Sequence, residues 1–86
     1  MQYTQHALKQ AARRGLSRQD IVMAVSYGRR IFKGNGAVLY FLGQREVCKQ
    51  ADLRPYLGIH VLCDVKHDEV ITVYRNRKLR FHSNMP

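Results

Sequence analysis

The chain has 86 residues, with 15 Lys and Arg against six Asp and Glu, four His, and a net charge of +9 at neutral pH. That length sets a single domain, residues 1–86, and a hydrophobic content of 45% argues against disorder. No apolar run approaches the roughly 20 residues that span a bilayer, no secretory h-region opens the chain, and Cys48 and Cys63 lack the spacing of a disulfide or C-x-x-C framework. The expectation is a cytoplasmic protein without a membrane partner, whose charge balance favours a polyanion, nucleic acid or an acidic protein.

Thr4 is placed to cap a helix reaching about Arg14, with Ala7, Leu8, Ala11 and Ala12 as its apolar stripe. At helical spacing His6, Gln10 and Arg13 fall on the opposite face. Gly15 suits the left-handed residue that follows a helix. Ser17-Arg18-Gln19-Asp20 reads as a capping box opening a second helix, which carries Ile21, Val22, Ala24 and Val25 and stops at Gly28.

From Arg29 the period changes. Residues 29–33 read as a strand, Gly34-Asn35-Gly36 as a tight turn, and residues 37–42 as a second, more apolar strand. Residues 43–58 read as irregular, with a helical turn or loop around Pro55, which a strand interior excludes. Residues 59–65 and 70–76 read as two further strands. Matching their apolar faces requires a three-residue loop, which sets Cys63 opposite Ile71, Val61 opposite Val73 and His60 opposite Tyr74. The other face then carries His60, Leu62, Asp64, Thr72 and Tyr74 and is expected to be partly open and polar. The fold class is α+β: two N-terminal helices on one face of a small, mostly antiparallel four-stranded sheet. Residues 77–86 form a basic C-terminal tail, read as either mobile or an extension of the last strand.

Three constellations carry chemistry. His6 with Arg13 forms a wet helix face suited to proton transfer or phosphate contact; the competing reading is an ordinary solvated face. His60 across from Tyr74, with a nearby arginine, has the equipment of metal-free RNA cleavage: a base for the 2′-hydroxyl, an acid for the leaving oxygen and a cation for the phosphorane charge. The competing reading is a cross-strand packing pair. The cations Arg29, Arg30 and Lys33, and Arg75, Arg77, Lys78 and Arg80, would line a phosphate strip if the first and last strands share an edge or face. Tyr27, Phe32 and Phe81 are interleaved with them as base-stacking groups. His60, Cys63 and His67 look superficially like metal ligands, but His60 and Cys63 belong to opposite faces of one strand; neither a metal nor another cofactor is expected.

The run H-A-L-K-Q-A-A-R-R-G-L-S, a second helix, the G-N-G hairpin and I-T-V-Y-R-N resemble a bacterial family of small domains of unknown function. In that family a start like S-x-H-A-x-x-R-x-x-x-R-G-I-S precedes a sheet ending in T-V-Y. It is similar in expected fold to RelE-type and BrnT-type ribonuclease toxins and to RNase domains of polymorphic toxins. The resemblance places the family histidine on His6, the arginine before the glycine on Arg14, and the last-strand motif on Thr72, Val73 and Tyr74. Gln10 stands where the family has its first helix arginine, and Arg13 offers a cation on the same face. The resemblance implies an RNA-binding protein and candidate metal-independent endoribonuclease, the toxin of a toxin–antitoxin pair held by an acidic antitoxin. His6, His60, Tyr74 and Arg75 are then the candidate catalytic residues, and Arg13, Arg14, Arg29, Arg30, Lys33, Arg77, Lys78 and Arg80 the candidate RNA contacts. The alternative is a non-catalytic accessory module of a mobile element that binds nucleic acid or protein.

Overall fold

The computed structural model describes residues 1–76; the tail contacts expected of Arg77, Lys78 and Arg80 lie outside them. In chain order the elements are β1 (Gln2–Tyr3), α1 (Gln5–Arg13), α2 (Arg18–Tyr27), β2 (Arg29–Gly34), β3 (Ala37–Phe41), α3 (Gln44–Lys49), a 3₁₀ helix (Ala51–Tyr56), β4 (Ile59–Asp64) and β5 (Glu69–Arg75).

The helix ends form where short-range chemistry demands them. The Thr4 hydroxyl accepts from the Ala7 amide and donates to the Ile71 carbonyl, so one side chain both caps α1 and ties it to β5. Ser17 and Asp20 form the reciprocal capping box of α2. Gly15, at φ +66, makes the left-handed turn between the helices. The buried stripe of α1 is narrower than its sequence suggests. Ala7 and Ala11 are buried, whereas Leu8 is 42% exposed and Ala12 faces solvent.

Among the described residues the sheet has five strands, in the order β1-β5-β4-β3-β2, not four. The additional strand, β1, runs parallel to β5 through Gln2–Glu69 and Tyr3–Val70, which makes the sheet mixed. Residues 43–58 are also more regular than expected, since Glu46 receives the Gly43 amide and starts α3. The β4–β5 hairpin keeps His60 opposite Tyr74 and Val61 opposite Val73, but Cys63 pairs with Val70 rather than Ile71. A bulge absorbs Ile71, and the connection spans four residues, 65–68, instead of three. The slip has a physical cause: it places Val70, fully buried, on the helix-facing side beside Val73, which a strict alternation would not.

Both helices cover one face of the sheet. Ala7, Ala11, Ile21 and Ala24 pack with Ile59, Val61, Cys63, Val70 and Val73 in one core cluster. Burial, with the negative charge of Asp68 as a lesser cause, pushes the Cys63 thiol up to about 11, so it stays protonated as a small apolar group. Among the described residues no helix is long and apolar enough to cross a membrane.

At the β4–β5 turn, His67 Nδ1 lies 2.7 Å from Asp64 Oδ2. The pair holds the Asp64 carboxyl below its ordinary 3.8, chiefly through this hydrogen bond, and holds His67 above its ordinary 6.5 for the same reason. The Asp64 contribution is lost as pH falls through its lowered pKa; the His67 contribution is lost as pH rises through its raised one. The pair therefore supports the fold between about pH 4 and pH 6.5 and fades on either side. Both groups are at the surface, so the gain is small. The expected result is a wild-type stability advantage over His67→Ala confined to that window, read by urea titration at several pH values; an advantage that persists unchanged at pH 9 would contradict it.

Candidate functional site

On the face away from the helices, one side chain from each of four strands lines up in register. Arg29 of β2 pairs with Phe41 of β3, Phe41 with His60 of β4, and His60 with Tyr74 of β5. Their side chains touch in the same sequence. Arg29 Cζ is 4.9 Å from the Phe41 ring centre. The Phe41 and His60 rings are 4.6 Å apart and tilted by 37°. The His60 and Tyr74 rings are stacked at 4.4 Å and 15°. A cation followed by three aromatic rings in contact is a cross-strand ladder in which each neighbour pair adds packing and quadrupole attraction.

His60 is fully buried. Its Nδ1 lies 2.8 Å from the Gly58 carbonyl, and because a carbonyl oxygen only accepts, Nδ1 carries the proton. Nε2, the other ring nitrogen, is buried as well. The expectation of a partly open, polar face is thus corrected at its centre: Phe41 is also buried there, and Leu39 pairs with the half-buried Leu62 in the next row.

The ladder is fastened at its end. Arg29 Nε meets Glu46 Oε2 at 3.1 Å, joining β2 to α3. Gly43 approaches so closely that a Cβ there would stand 2.6 Å from Phe41 Cζ and 2.9 Å from Arg29 Nη2. Sequence reasoning missed Phe41, because the segment between β3 and β4 leaves its pairing register open, and Glu46, because nothing local to residues 43–49 shows where α3 folds back onto β2.

The remaining candidates are dispersed. Arg75 follows Tyr74 but pairs with Ile59, so it belongs to the helix-covered side of the sheet. Its Nε donates to the Leu57 carbonyl at 3.1 Å and its Nη2 to the Pro55 carbonyl. Arg75 thereby clamps the 3₁₀ segment. His6 is exposed on α1, with the thickness of the sheet between that helix layer and the His60–Tyr74 face. His6 and His60 therefore do not converge on one site. Arg13 and Arg14 are exposed at the end of α1, with Arg14 Nε donating to Gln10 Oε1 at 2.9 Å. Helix α1 packs on β5, whereas Arg29, Arg30 and Lys33 sit on β2, three strands away. Of these three, Arg30 and Lys33 are exposed, together with Phe32 (75%) and, just upstream, Tyr27 (49%). Among the described residues no group of three His, Cys, Asp or Glu is placed to hold a metal ion.

Residues 3–75 match a family described as Domain of unknown function (DUF4258). The match spans nearly the whole described fold, from β1 to the end of β5, and the chain belongs to this family of uncharacterised small domains. No curated protein and no solved structure matches it.

Proposed function

We propose that the chain is an RNA-binding protein and that β2 supplies its leading contact surface. The observation that carries this reading is the run of exposed side chains at and just before that strand: Arg30 and Lys33 for phosphates, with Phe32 and, at the end of α2, Tyr27 for base stacking, in a chain of net charge +9. Arg13 and Arg14 form a separate basic area at the end of α1, suited to a longer strand. The test is binding of fluorescent single-stranded RNA across a salt series. Each neutralised phosphate contributes about −0.7 to the slope of log K against log salt. Arg30→Ala with Lys33→Ala should flatten the slope by about 1.4, and Phe32→Ala should weaken binding about tenfold without changing it. Affinity that is flat in salt would overturn the reading.

A second reading rests on the stacked His60–Tyr74 pair: metal-independent RNA cleavage of the RelE or BrnT type. His60 Nε2 would act as the base, which requires RNA binding to uncover the buried ring, with Tyr74 as the acid and Arg29, not Arg75, as the cation on the same face. In that case the protein is a cytoplasmic toxin held by an acidic antitoxin. The non-catalytic alternative, an accessory module of a mobile element, shares the RNA contacts and lacks the cleavage.

A further inference from the structure

We infer that the free edge of β2 is a docking site for an extended acidic segment of a partner protein, which adds to the sheet as a sixth strand. The inference shares Arg30, Phe32 and Lys33 with the RNA reading and adds to them the backbone edge of β2, which RNA does not pair with. Among the described residues β2 ends the sheet and pairs only with β3, so every second residue of it turns its N–H and C=O outward. Residues 30–33 are all exposed, including Ile31 at 38% and Phe32 at 75%. Two large apolar side chains on an unpaired edge form a recognition strip for strand addition.

The length and chemistry of the occupant follow from the register. The β2–β3 ladder is regular from Arg29 to Phe32 and shifts between Phe32 and Gly34, so a flat partner strand has about four residues of template. Arg30 calls for an acidic residue opposite it, Ile31 and Phe32 for apolar ones, and Lys33, at the bulge, for a second acid. The fitting pattern is acid-apolar-apolar-acid.

In the register that matches both apolar residues, a second copy of this chain fits badly. Antiparallel pairing of two β2 strands centred between Ile31 and Phe32 would match the apolar residues but set Arg30 against Lys33 twice, and like charges directly opposite are destabilising. The chain's own residues 77–86 contain no acidic side chain, so they do not supply the pattern either. Charge complementarity selects an acidic polypeptide from elsewhere.

The test titrates the full-length ¹⁵N-labelled protein with the capped hexapeptide SEVVES, and with SKVVKS as its charge-reversed control. The expected result is amide shifts and new hydrogen-exchange protection confined to β2 for SEVVES, and none for SKVVKS. Arg30→Glu with Lys33→Glu, checked for native dispersion, should weaken SEVVES at least tenfold and admit SKVVKS in its place. Shifts that map elsewhere, equal response to both peptides, or no response at millimolar peptide would overturn the inference. A concentration-dependent dimer protecting the same amides would assign the edge to a second copy instead. RNA titrated alone reports separately on the RNA reading, so either proposal can fail without the other.

Discussion

Gly28→Ala should destabilise the protein by about 3 kcal/mol or more, a large share of the roughly 4–13 kcal/mol available to a chain of this size. The backbone of Gly28 is ordinary, at φ −76 and ψ 165, a conformation alanine adopts without strain. On conformational entropy alone the substitution should stabilise slightly. Space decides otherwise. A Cβ on Gly28 would lie 2.9 Å from the Phe41 carbonyl oxygen and 3.0 Å from its carbon, and closer still to the Ala24 oxygen. These are backbone atoms of β3 and α2, which no rotamer change can move. Relief requires separating the end of α2 from the strand that carries Phe41. Gly34→Ala is the control. Gly34 has φ +88 and nothing within 4 Å of a Cβ, so that variant meets only the left-handed backbone penalty of about 1–2 kcal/mol. Urea unfolding of both variants separates the two causes, and equal losses would show that the close approach at Gly28 relaxes at little cost.

What was legible in the sequence was whatever depends on neighbours along the chain. The cap that Thr4 makes, the Ser17–Asp20 box and the Gly15 turn each act within four residues, and the Gly34-Asn35-Gly36 turn adopts three successive positive φ angles. The His60–Tyr74 pairing was also legible, because a short hairpin lets the apolar faces fix the register. The parallel strand β1 was not, since two residues carry no period and their partners lie 67 positions away. Nor was the bulge at Ile71, which trades a regular ladder for the burial of Val70. Phe41 became the third ring of the ladder only through β3–β4 register, set across a 17-residue excursion from Leu42 to Gly58. The side of the sheet that Arg75 occupies follows from strand alternation, yet its clamp on Pro55 and Leu57 depends on where the 3₁₀ segment folds back.

Tyr74→Phe and His60→Ala should part company. His60→Ala removes a fully buried ring from between Phe41 and Tyr74, together with its hydrogen bond to Gly58, and should cost about 3 kcal/mol. Tyr74→Phe keeps the stacked ring and removes only a hydroxyl from a half-buried residue, so stability should change by less than about 1 kcal/mol. Loss of RNA cleavage in His60→Ala would then be ambiguous, because the site would be losing its scaffold along with its base. His60→Asn is the better partner variant: its amide can still donate to the Gly58 carbonyl while offering no basic nitrogen. If wild type cleaves RNA and both Tyr74→Phe and His60→Asn are folded, RNA-binding and inert, the pair performs acid–base chemistry. If wild type leaves RNA intact while binding it, the ladder is a structural seam, and the conformational demands on Phe41, His60 and Tyr74 are those of packing alone. Denaturation, binding and cleavage measured on the same three variants distinguish these outcomes, because a seam predicts changes in stability only, whereas a catalytic pair predicts loss of turnover in variants whose stability is nearly intact.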